Sequence, residues 1–193
     1  MEQSHAILIR LTKLTDTSLI VHWFTEDAGL IKTVARGARN PGSAFAGKLD
    51  LFFSAEILWN TAKRGELHTL KETAVTSWRT GLRKTYVSTL LAGYCCRLLE
   101  QAVEPGHPEP ALYDLLRRAL DHLDEKGASE RAMKHFEREL ARLFGVSNEY
   151  RAPDTALRDA LGDLPAIRRE LIERLAGSGD FGSSGATFGV NDV

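Results

Sequence analysis

The sequence predicts an α+β chain that is all-β in its first part and all-α in the rest. Three observations carry this. Residues up to Val75 alternate apolar and polar side chains in short runs. After Trp78 the apolar residues recur every three to four positions instead. The charge also divides at this point: Met1 to Lys84 holds 12 Lys and Arg against 8 Asp and Glu, a net of +4, and Thr85 to Val193 carries −5. A basic first part and an acidic second part suggest two units with different partners.

The strands come first. His5 to Leu11 is apolar and β-branched, and Ser18 to Phe24 (SLIVHWF) follows the turn-like Thr15-Asp16. Glu26 to Gly29 is a short turn, so Ser18–Phe24 and Leu30–Arg36 form a hairpin. Leu49 to Trp59 reads as the longest strand. Its apolar Leu51, Phe53, Ala55, Ile57 and Trp59 alternate with a face holding Asp50, Ser54 and Glu56. Asn60 to Gly65 turns the chain into a fifth strand, Glu66 to Val75. Five short strands with no helix-length segment between them predict a five-stranded antiparallel barrel of the OB type. Other Greek-key and SH3-like barrels share the pattern.

The helices follow. Leu82, Tyr86, Leu90, Tyr94 and Leu98 recur every four residues and predict one amphipathic helix. Pro105, Pro108 and Pro110 break the chain before a second helix carrying Leu112, Leu115, Leu116, Ala119, Leu120 and Leu123, closed by Gly127. Ser129 is the N-cap of a third, with Met133, Phe136, Leu140 and Leu143, stopped by Gly145. Asp154 caps a fourth, interrupted at Gly162 and Pro165 before Ile167 to Leu175. The reading is an OB-like domain over residues 1–80, a helical bundle over 81–176 and a flexible Gly/Ser-rich tail over 177–193.

Catalysis finds little support. There is no GxxxxGK loop, and the glycines of Arg36–Gly47 do not form GxGxxG. None of the six histidines pairs with Cys or carboxylate at metal spacing. Cys95 and Cys96 are adjacent on a helix, so they point about 100° apart and do not bridge. One of them faces the core as a small hydrophobe. Glu137 and Glu139 lie on different helix faces. No apolar run approaches the roughly 20 residues that span a bilayer, and the N-terminus lacks the pattern of a signal peptide. A non-enzymatic, cofactor-free protein of a reducing cytoplasm is expected.

Polyanion binding is better supported. Leu30 to Lys48 (LIKTVARGARNPGSAFAGK) carries Lys32, Arg36, Arg39 and Lys48 and no carboxylate. Lys32, Val34 and Arg36 share one strand face, and Arg39 sits among small residues where a backbone can approach closely. Lys63 and Arg64 occupy the turn between the fourth and fifth strands, a loop that OB folds use as a groove rim; Lys71 follows on the fifth. Phosphates need such cations, and bases need platforms. Most barrel aromatics read as core. Phe45, in the loop beside Arg39 and Lys48, reads as the stacking platform. Arg168, Arg169 and Arg174 on the last helix are candidates to receive an acidic peptide. A protein-binding adaptor and an RNA-binding OB protein fit the same pattern.

The ordered set SLIVHWFTEDAGLIKTVARGARNPGSAFAGKLDLF, RGELHTLKETAV and FERELARLFG resembles the RecO family of bacterial recombination mediators. The resemblance implies a protein that binds single- and double-stranded DNA, anneals complementary strands and loads recombinase in recombinational repair. It implies RecR and the acidic C-terminal tail of single-strand-binding protein as partners, no membrane, and a place in the cytoplasm at the nucleoid. Many family members carry a four-cysteine zinc site after the position of Gly145. Here FGVSNEYRAP stands there with no cysteine beyond it, so zinc is not expected and the chain is short for the family.

Overall fold

Residues 1–147 and 150–177 are described in the structure, a computed structural model. Alternation places five strands: β1 (Glu2–Lys13), β2 (Leu19–Thr25), β3 (Gly29–Ala35), β4 (Ser54–Asn60) and β5 (Leu67–Ser77). They close in the order β1-β2-β3-β5-β4, with β1 bonded to both β2 and β4. All pairs are antiparallel except β3–β5, which is parallel and brings Lys32 opposite Leu67. This is an OB-like barrel, which resolves the choice between small β architectures. Its interior holds Leu8, Val21, Trp23, Ile31, Ile57, Trp59 and Leu70, and the Trp23 indole donates to Thr33 Oγ1 at 2.9 Å.

One strand is shorter than its alternation predicts. Leu49 to Phe53 is a turn, and β4 starts at Ser54. Phe52 adopts φ 70°, which ends extended structure there. Its N–H donates to Leu8 O, and Leu8 N–H donates to Phe53 O, so the turn is sewn to β1.

Five helices follow: α1 (Tyr86–Ala102), α2 (Pro110–Lys126), α3 (Glu130–Leu143), α4 (Pro153–Leu161) and α5 (Ile167–Gly177). Ser129 caps α3 by accepting from Ala132 N–H, and Gly127 ends α2 at φ 78°. Two boundaries differ from the pattern. Leu82 belongs to a separate 3-10 turn, Thr80–Arg83, and Thr85 caps α1 by accepting from Ser88 N–H, leaving Tyr86 exposed. The cap of α4 is Ala152 with Pro153 in the first turn, and Asp154 lies inside the helix. The predicted tail, apart from Gly177 at the end of α5, lies outside the described residues. No helix among the described residues is long and apolar enough to cross a membrane.

The two halves share one core. Ile7, Ile9, Phe24 and Phe52 point out of the barrel into the cluster that holds Leu91, Leu98, Leu116 and Phe136 of the helices. The Phe24 and Tyr113 rings meet edge to face at 6.1 Å. Each fully buried Leu or Phe here contributes about 1.5–3 kcal/mol. Gly29, at the β2–β3 hairpin, marks how close the halves come. Its φ is +64°, and a Cβ added there would lie 1.9 Å from the His107 carbonyl oxygen. Next to it, Gly106 N–H donates to Leu30 O.

Candidate nucleic-acid interface

The outer face of β2 and β3 divides in two. Near the hairpin, Phe24 and Leu30 are covered by the helices. Beyond them the face is only partly covered and carries half-buried Ile20, His22 and Val34 beside exposed Lys32 and Arg36. Alternation along β3 puts Ile31, Thr33 and Ala35 inside and the two cations outside. Lys32 is not free of carboxylates in space: its Nζ lies 3.7 Å from Glu66, which the parallel β3–β5 pairing brings alongside. Exposed Arg36 lies two residues beyond Val34, and exposed Lys71 two beyond its partner Thr69.

Arg36 opens a loop of consecutive tight turns. Ala38, Asn40, Ser43, Ala46 and Lys48 each donate their N–H to a carbonyl three residues back. Arg39 N–H donates to Thr17 O, fastening this loop to the β1–β2 connection and leaving the Arg39 side chain exposed. The β4–β5 loop holds exposed Lys63 and Arg64; Ala62 N–H donates to His68 Nδ1 at 3.1 Å. Lys48 and Lys71 meet elsewhere, in a groove of about 460 Å³ between the loop, β4 and β5 that also contains Glu56 and Glu72. The predicted cations therefore do not form one continuous patch.

Phe45 is a correction. It is 9% exposed and belongs to the cluster of Trp23, Trp59 and Leu70, plugging the barrel rather than offering a face to a base. The tight turns return the loop over the barrel end, and an apolar ring there gains more from burial than from solvent. The aromatics of the strands and of the turn before β4, Trp23, Phe24, Phe52, Phe53 and Trp59, are buried too.

Sequence reasoning misses Arg10, His22 and Glu100. Arg10 of β1 pairs with His22 of β2, and His22 with Lys32 of β3, so these three form a row across the strands. A bulge between Leu8 and Arg10 sets this register and breaks the alternation that would have revealed it. Glu100 of α1 reaches over the row. It pairs with Arg10 Nη2 and lies 3.9 Å from His22 Nδ1. Burial, followed by the charges of Arg10 and Lys32, holds the His22 imidazole below its ordinary titration range.

On the helical side, Arg168 is a second correction. It donates from Nε to Glu137 Oε1 at 2.7 Å and from Nη2 to Oε2 at 3.2 Å, with Asp154 at 3.3 Å. Tyr94 donates to the same Glu137 at 2.6 Å, and burial pushes its phenol far up. Glu137 is buried, so Arg168 neutralises an interior charge and is committed to the fold. Arg174 pairs with Glu170 at 2.8 Å and stacks over Tyr86. Arg169 remains exposed. A different feature suits an acidic peptide: a groove of about 940 Å³ between α1, α2 and α3. Leu91, Leu115 and Phe136 line it together with Arg131 and Arg138, with Arg118, which pairs with Asp114, and with Lys134, which pairs with Glu130 of the same wall. Cys95, also on its wall, and Cys96 are both buried, and burial pushes both thiols well up, which removes thiolate chemistry.

The comparisons with known proteins agree with this architecture. A family model described as "Recombination protein O N terminal" matches residues 1–78, and one described as "Recombination protein O C terminal" matches 83–149. The chain is similar to the "DNA repair protein RecO" of Syntrophotalea carbinolica, 32% identical over 144 residues, 75% of this chain and 56% of that protein. The protein of the same name from Pelobacter propionicus is also 32% identical over 144 residues, 75% of this chain and 58% of the relative. That of Listeria monocytogenes is 32% identical over 125 residues, 65% of this chain and 48% of the relative. The chain thus spans about half the length of the curated relatives it matches. Two family models in the expected order, meeting at the junction of barrel and helices, place the chain in the RecO family.

Proposed function

We propose that this chain acts in DNA repair as RecO-type proteins do, without enzymatic chemistry of its own. Its barrel holds single- and double-stranded DNA through phosphates and promotes annealing and recombinase loading. The observation that carries this reading is a separation of residue types on the barrel. Arg36, Arg39, Lys48, Lys63, Arg64 and Lys71 are exposed, while every strand aromatic is buried. Such a surface neutralises a backbone and offers few rings to read a base; the half-exposed Trp78, just past β5, rests edge to face on Phe53. Strands held by their phosphates keep their bases available for pairing, and screening their mutual repulsion favours annealing.

The partners follow the same chemistry. The cation-lined apolar groove of α1, α2 and α3 is suited to an acidic, apolar-ended peptide such as the tail of single-strand-binding protein. RecR is proposed as the second protein partner, from family membership. The deciding experiment is a titration with single- and double-stranded oligonucleotides at two salt concentrations. The expected result is binding to both, with affinity falling steeply as salt rises. No binding at low salt rejects the proposal, and a strong preference for RNA in competition replaces DNA as the ligand.

A further inference from the structure

The row Arg10–His22–Lys32 has three basic side chains directly opposite one another on adjacent strands. The two permanent cations, Arg10 and Lys32, flank His22, and two carboxylates approach the row. Glu66 approaches Lys32 at 3.7 Å from a largely exposed position. Glu100 is held more firmly, 16% exposed, between Arg10 and His22. Arg10 and Lys32 are still about half exposed, and the row opens onto the same face as Arg36.

We infer that Arg10, His22 and Lys32 form a phosphate-binding row across three strands, which Glu100 occupies from α1 when no nucleic acid is bound. This rests on the reading of the barrel as a nucleic-acid binder and extends it to β1. The chemistry favours exchange. A guanidinium binds a phosphodiester in the same forked geometry as a carboxylate. A displaced Glu100 is solvated at the edge of α1. Three groups face His22: Arg10 from β1, Lys32 from β3 and Glu100 from α1. In the free protein burial, followed by the two cations, holds the imidazole below its ordinary titration range. A phosphodiester placed on the row takes the place of the Glu100 carboxylate, so one negative charge replaces another beside His22 and the ring changes its partner.

The test compares the NMR signal of the His22 ring in the full chain, free and saturated with a short oligothymidylate, the signal being assigned with His22→Gln. The expected result is a displaced His22 ring signal in the complex. Glu100→Gln is expected to bind the same oligonucleotide about two- to fivefold more tightly at low salt, the range of one exposed ion pair. Arg10→Gln is expected to bind more weakly. An unchanged His22 ring signal at saturation overturns the row while leaving DNA binding by the barrel intact. Unchanged affinity in a folded Glu100→Gln overturns the competing role of Glu100. If the unmutated chain binds no oligonucleotide, the row and the proposed function fall together. The ring signal is read on the unmutated protein, so it decides even if a variant fails to fold.

Discussion

Arg79 donates from Nη1 to the backbone oxygen of Phe52 at 2.6 Å, joining the two non-glycine residues that adopt positive φ among the described residues. Phe52 (φ 70°) turns the loop into β4, and Arg79 (φ 40°) turns β5 into the 3-10 segment before α1. Arg79 also donates from Nε to Asp121 of α2 at 2.8 Å. One buried guanidinium therefore ties the loop, the exit of the barrel and the helices. Left-handed backbone is strained for both residues and persists because surrounding contacts over-determine it.

Replacing Arg79 by Met should lower stability by about 2–3 kcal/mol. The side chain is nearly fully buried, and its loss orphans the Phe52 carbonyl. Asp121→Asn should have a smaller effect, about 1–2 kcal/mol, because the amide oxygen still accepts from Arg79 Nε while the buried guanidinium loses its counter-charge. Urea denaturation of the two variants measures both. Equal losses would show that the ion pair, and not the Phe52 carbonyl, is the working half of the contact.

Phe45→Ala separates plug from platform. As a plug packed against Trp23 and Trp59, Phe45 should cost about 3 kcal/mol on truncation and leave the salt dependence of DNA binding unchanged. As a stacking residue it would do the reverse, leaving the thermal midpoint in place and weakening single-strand affinity. Thermal unfolding and a salt titration of the same variant distinguish the two.

Arg36→Ala with Arg39→Ala addresses the exposed cations. Both side chains are solvent-exposed, so the fold should survive with a stability change within about 0.5 kcal/mol. Binding should weaken for all DNA sequences alike. The slope of log affinity against log salt should flatten by about one for each phosphate that is no longer neutralised. An unchanged slope in a folded double variant means that these two residues do not touch the backbone.

What was legible in the sequence was local. Alternation gave β1, β2, β3 and β5 to within a few residues, and Ser129, Gly127 and Gly145 marked the ends of α2 and α3, because cap chemistry is written at the cap. The exposed cations of the loop were visible for the same reason. The misplaced start of β4 depended on the φ of Phe52, which Leu8 and Arg79 impose from more than 25 residues away in either direction. Arg168 read as a surface charge because nothing near it on α5 reveals Glu137 on α3. The Arg10–His22–Lys32 row required two strand registers and one bulge, none of which alternation within a strand can supply.

The Glu137–Arg168 pair gives the sharpest test of what fastens α5. Glu137 accepts from Tyr94 of α1 and from Arg168 of α5, so removing either charge leaves the other desolvated. Glu137→Leu alone should cost about 3–5 kcal/mol, and Arg168→Met alone a similar amount. The double variant should be much less destabilised than the sum, since well-packed apolar groups often replace a buried ion pair at little net cost. Tyr94 then loses its acceptor in both Glu137 variants, so Tyr94→Phe in the double background should restore about a further 1 kcal/mol. A thermodynamic cycle by chemical denaturation reads these couplings. Additive losses would mean that Arg168 and Glu137 act independently, and Arg168 would then return to the surface charges open to an acidic partner.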